Sequence, residues 1–112
     1  MEDGRDSRPS NVQLSVESAR ERVRELAKDS ANLVWTNHIC ERMAERGIDS
    51  GAVLRILRQG DIDSLPEAQS KPGEWKVKLT RMMPTGRVAA VVTVIVRDRR
   101  LILVTTEWED RR

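Results

Sequence analysis

No phenylalanine or tyrosine occurs in the 112 residues, and Trp35, Trp75 and Trp108 are the whole aromatic complement. A chain of this length forms one domain, whose core must be aliphatic, so each tryptophan carries more packing weight than usual. Cys40 is the single cysteine. It excludes an intramolecular disulfide framework and fits a reducing cytosol, so a cytoplasmic protein is expected. His38 is the single histidine, and together with Cys40 it falls short of a zinc ligand set. A glycine-rich phosphate loop, Gly-x-Ser-x-Gly and His-Glu-x-x-His are all missing, so no cofactor and no metal are expected. The longest apolar run, Val88 to Val96, is too short to span a bilayer, and the polar N-terminus has no signal-peptide core; no membrane partner is expected. A strong excess of charge of either sign is also missing: the net charge is +2. The cations are nevertheless lopsided, with 16 Arg against 4 Lys. Guanidinium forks suit phosphate, but codon bias in a GC-rich genome yields the same ratio.

What is present organises the chain into two halves. Residues 1–11 are polar, contain Gly4 and Pro9, and read as a disordered tail. Ser15 is a suitable N-cap for a first helix reaching about Asp29, with Val16, Ala19, Val23, Leu26 and Ala27 on one stripe. Residues 12–30 thus form an N-terminal helical extension. Thr36 caps a second helix over about Asn37 to Arg46, with Ile39, Cys40, Met43 and Ala44 as its apolar arc and Gly47 as its stop. Asp49 caps a third, with Val53, Leu54, Ile56 and Leu57 buried and Gly60 at its end.

From Asp61 to Gly73 the prolines and serines read as a connecting loop. Trp75, Val77 and Leu79 then alternate with Lys76, Lys78 and Thr80, the pattern of a strand with one buried face. Pro84-Thr85-Gly86 turns the chain into Val88 to Val96, which is apolar at both parities except Thr93 and therefore reads as central and covered on both faces or nearly so. Leu101 to Trp108 is the last strand, and residues 109–112 read as a fraying end. The expected fold is α+β, with N-terminal helices packed on a three- to four-stranded antiparallel meander spanning residues 31–108 with its helices.

Chemistry, if any, falls on the second helix and the strand faces. At about 100° per residue His38 and Arg42 lie on the same side, with Arg46 nearer the apolar arc. An imidazole moves a proton near neutrality, and guanidinium forks stabilise charge growing on a phosphoryl group. Ordinary solvated helix charges look the same in sequence. Lys76, Lys78 and Thr80 share one strand face, and Thr105, Thr106 and Glu107 offer polar groups on the last strand.

The string Thr36-Asn37-His38-Ile39-Cys40-Glu41-Arg42-Met43-Ala44-Glu45-Arg46-Gly47-Ile48, followed by Val53, Leu57, Gly60, Trp75-Lys76-Val77 and Val104-Thr105-Thr106-Glu107, resembles the DUF4258 family over about Thr36 to Glu107. The resemblance implies a fold of the RelE and barnase-like ribonuclease toxins, with helices on one face of an antiparallel sheet and RNA cut on the other. Carried over residue by residue, the family's polar positions land on His38, Arg42, Arg46, Lys76 and Thr105. It implies a metal-independent ribonuclease toxin, with RNA as substrate and a cognate antitoxin protein as partner. His38 would be general acid or base, Arg42, Arg46 and Lys76 would hold the phosphate, and Thr105 would orient substrate. That mechanism requires His38 to face the open side of the sheet. The alternative is a non-catalytic module that binds a protein or nucleic acid through the meander and the Arg-rich surface, and a third reading is a toxin-like domain that has lost catalysis and keeps only antitoxin binding.

Overall fold

The computed structural model describes residues 12–109; the expected tail at 1–11 and residues 110–112 lie outside them. Helix α1 spans Val16–Ala27, α2 Asn37–Arg46 and α3 Ser50–Gln59. Each begins on a side-chain cap read from the sequence: Ser15 accepts from the amide of Ser18, Thr36 from that of Ile39, and Asp49 from that of Ala52. These oxygens satisfy amides that the first turn of a helix leaves without partners. Gly47, at φ 69°, ends α2 in the left-handed conformation, with Ile48 buried behind it, the usual glycine-terminated arrangement.

Five strands form one mixed sheet: β1 Leu33–Trp35, β2 Glu67–Ala68, β3 Glu74–Met82, β4 Val88–Val96 and β5 Arg100–Trp108. Their order is β1-β5-β4-β3-β2. The meander β3-β4-β5 is antiparallel as expected. Two short edge strands correct the count of three to four, and the parallel pairing of β1 with β5 corrects the purely antiparallel expectation. A strand of two or three residues is defined by the neighbour it pairs with rather than by its own propensity. Asp61 adds an isolated bridge to Thr80, each amide donating to the other's carbonyl at 2.9 Å.

The helices cover one side of the sheet. Ala19, Val23 and Leu26 of α1, Ile39 of α2 and Val53, Ile56 and Leu57 of α3 share a core with Trp75, Val77, Leu79, Val91, Ile95, Leu101 and Leu103. Arg58 Nε donates to the Ala27 carbonyl at 2.8 Å, and an Arg24 guanidinium nitrogen to that of Gly60 at 3.3 Å. The N-terminal helix is thereby tied to α3 through two backbone carbonyls.

Register settles the sheet's faces. Val92 lies opposite Thr105, whereas Thr93 lies opposite Leu103, so Val104 is an extra residue forming a β-bulge. One extra residue reverses the alternation beyond it. Leu101 and Leu103 therefore point to the helices, but so do Thr106 and Trp108, while Thr105 and Glu107 point away. Thr106, fully buried, donates to the Ala90 carbonyl at 2.7 Å, and Thr93 donates to that of Ile102 at 2.8 Å.

Two expectations about packing change. β4 is central, but helices cover only its Ala89, Val91, Thr93 and Ile95 side; Val92, Val94 and Val96 on the other side are half-buried. Cys40 is exposed rather than part of the core. α2 buries a narrow stripe through Ile39 and half-buried Met43, with half-buried Arg42 beside it, and one residue past Ile39 the helix has already turned outward, which leaves Ala44 of the expected arc exposed too. Glu109, placed in the fraying end, instead donates its amide to the Val88 carbonyl at 2.8 Å.

Candidate functional site

The residues singled out from the sequence occupy two sides of the sheet. His38 sits exposed in the first turn of α2, with no hydrogen bond orienting its imidazole among the described residues. Arg42 and Arg46 lie further along the same helix, both ion-paired to Glu45, the Arg46 contact at 3.2 Å. Exposed pairs of this kind are worth at most about 1 kcal/mol, so Glu45 alone would not keep a phosphate from these guanidiniums. The fold does more. α2 packs on the helix side of β5: Thr36 donates to the Leu103 carbonyl at 2.7 Å and Trp108 Nε1 to that of Arg46 at 2.8 Å.

Lys76 and Thr105 project from the opposite side. Lys76 alternates with the buried Trp75 and Val77, and Thr105 lies opposite Val92 beyond the bulge. Lys76 is ion-paired to Glu67 at 3.7 Å. The sheet backbone therefore separates His38, Arg42 and Arg46 from Lys76 and Thr105, and the convergence on which the acid–base mechanism depends is not formed. Grooves are formed elsewhere, one along α1 between Arg22, Arg24 and Asp98, another between Leu14, Trp75 and Arg97. Among the described residues no three His, Cys, Asp or Glu side chains are grouped as a metal ion would require, and no helix is long and apolar enough to cross a membrane.

The open side of the sheet has a distinct makeup that the sequence reading did not single out. Paired residues form rows across the strands: Glu74, Val96, Arg100; Lys76, Val94, Ile102, Val34; Lys78, Val92, Thr105; and Thr80, Ala90, Glu107. Neighbouring residues within a row are about 5 Å apart. Val92, Val94 and Val96 thus run up the middle, and the second row carries apolar surface out through Ile102 to edge residue Val34, which is 38% exposed. Among the described residues no helix lies over this side.

Its charged groups flank the valines and largely neutralise each other, and one pair reaches across β4. Lys78 meets Glu109 at 2.8 Å, a contact that reaches from β3 past the intervening β4 to the end of β5. Hydrogen bonding to the Glu109 carboxylate holds the Lys78 ammonium above the ordinary lysine value of 10.5, against the opposing effect of partial burial. Counting by register, Lys76, Lys78 and Arg100 stand against Glu67, Glu74, Glu107 and Glu109. Of the twelve arginines among the described residues seven lie on the helices, where Arg24 and Arg58 bind carbonyls and Arg20 and Arg22 pair with Asp61 and Asp98.

Comparison with known proteins finds one family model, a domain of unknown function (DUF4258), matching residues 35–108. No curated protein and no solved structure matches the chain. The match begins at the last residue of β1 and ends at the last residue of β5. The chain belongs to the DUF4258 family.

Proposed function

We propose that this DUF4258 domain is a non-catalytic protein-binding module that docks through the open side of its sheet. The observation that carries this reading is the apolar row Val94, Ile102, Val34 crossed by Val92, Val94 and Val96, on a side that no described element covers. Contiguous apolar surface ringed by polar groups is what protein interfaces present. Nucleic acid calls for a different surface. Phosphate binding rests on clustered unpaired cations, and here the lysines face carboxylates.

The ribonuclease toxin reading, with RNA as substrate and an antitoxin partner, is the competing proposal, and the separation of His38 from Lys76 and Thr105 weighs against it. The two are distinguished by incubating the purified chain with RNA. The docking reading predicts no cleavage by wild type or by His38→Ala, and no binding that declines with salt. Cleavage abolished by His38→Ala would overturn it. The positive test places a photo-crosslinking amino acid at position 94, where a polypeptide adduct is expected.

A further inference from the structure

Resting on the docking reading, we infer that the occupant of the open side is a second copy of this chain, related by a two-fold axis parallel to β4. Residues 1–11 and 110–112 of the sequence contain only Met1 as a large apolar side chain, so their composition is a poor match for the valines.

The face is complementary to itself. A two-fold running along β4 between two stacked sheets sets Val92, Val94 and Val96 of one copy against the same residues of the other. It also exchanges β3 with β5 within each row. Glu74 of each copy then lies over Arg100 of its mate, because both belong to the row through Val96. Lys78 falls over Thr105 beside Glu107, since Lys78 and Thr105 flank Val92. Lys76 falls over Ile102, where its aliphatic stem packs while its ammonium stays at the rim. The same operation thus brings the β4 valines onto their own copies and opposite charges together twice, as an isologous interface requires, while Lys76 and Glu67 fall over Ile102 and Val34 at its flank. Aligned sheets pack about 10 Å apart at roughly −30°, which shears the rows without separating these partners.

The size is of the order an interface needs, though smaller in plan than the standard class. Three nine-residue strands cover roughly 14 by 30 Å, and the short edge strands bring the face to about 500 Å² in plan before side-chain relief is added. A standard interface buries about 800 Å² of accessible surface per partner. Parallel stacking also leaves the helices outermost on both copies.

The test is sedimentation analysis of the purified full-length chain over a range of concentrations, with circular dichroism confirming that every variant is folded. Wild type is expected at twice the 12.8 kDa chain mass, and Val94→Asp at one chain mass. Glu74→Arg and Arg100→Glu are each expected to weaken association at least tenfold, and the double exchange to restore it to within a few-fold. Both positions lie at the rim, so the exchange remains informative even if Val94→Asp fails to fold. A wild-type monomer at every concentration would overturn the inference, as would a dimer indifferent to Val94→Asp or an exchange that restores nothing. Crosslinking at position 94 separates this from the underlying reading: an adduct to a different polypeptide overturns the second copy alone, and no adduct overturns both.

Discussion

Gly60 shows how one hydrogen in place of a methyl group holds the two layers together. Its backbone is in an ordinary extended conformation, with φ −75°, so what it supplies is room. A Cβ there would sit 2.5 Å from the Ile56 carbonyl oxygen and 3.0 Å from that of Thr80. Both obstacles are backbone and neither can swing away. Gly60→Ala should therefore cost about 3 kcal/mol or more and lower the melting temperature by more than about 10 °C. Gly51→Ala is the control: its Cβ meets only Asp49 Oδ1, at 3.5 Å, and helix propensity favours alanine by up to about 1 kcal/mol. Thermal unfolding of the two variants should move in opposite directions, and equal shifts would refute the close approach.

Lys78 makes a prediction about pH at the same scale. Its folded-state pKa lies above the unfolded one, so its contribution to stability is complete below about 10.5 and is lost as pH rises through the folded value. Both side chains of the Lys78–Glu109 pair remain partly exposed, at 37% and 29%, so the effect is small. In denaturant unfolding the gap between wild type and Lys78→Met should stay level from pH 7 to about pH 9 and narrow beyond about 10.5. A gap that persists unchanged at higher pH would contradict the assignment to this ammonium.

Among the elements, α2 depends on Thr36 twice over. Its hydroxyl oxygen accepts from the Ile39 amide at 3.2 Å, and its proton goes to the Leu103 carbonyl at 2.7 Å, linking the helix cap to β5. Losing both in Thr36→Ala should cost about 2 kcal/mol, made up of a cap and a partly buried hydrogen bond. Thr36→Ser keeps the oxygen and should remain within about 0.5 kcal/mol of wild type, as measured by denaturant unfolding; equal losses in the two variants would show that the hydroxyl is not what matters.

This cap was legible in the sequence, like Ser15, Asp49 and the Gly47 stop, because capping is local chemistry between residues three apart. The alternation of Trp75, Val77 and Leu79 with Lys76 and Lys78 was equally legible. The short strands β1 and β2 were not, since their pairing depends on β5 and β3. Nor was the bulge at Val104, although Leu101 and Leu103 in one phase and Trp108 in the other are its trace in the sequence. That bulge bears directly on the candidate site: it turns Thr105 and Glu107 outward and Thr106 inward. Cys40 was misplaced for a related reason, as an arc drawn on a helical wheel does not say which part of it meets the sheet.

Across the whole molecule, the division of labour between the two layers is clear. Seven of the twelve arginines among the described residues lie on the helices, and several of these bind carbonyls or carboxylates within the domain. α1 lies outside the matched residues 35–108 yet contributes Ala19, Val23 and Leu26 to the shared core. The sheet's other side carries the valines, Ile102 and the paired rim charges. A site assembled from His38, Arg42, Arg46, Lys76 and Thr105 would have to draw from both sides through the sheet between them.

The most direct measurement is therefore to place a photo-crosslinking amino acid at position 94 on the open side and, separately, at exposed Glu21 on α1, and to compare their adducts in cells. A discrete polypeptide adduct is expected from position 94, absent from position 21 and insensitive to ribonuclease. An adduct that ribonuclease removes, or equal yields at the two positions, would contradict it.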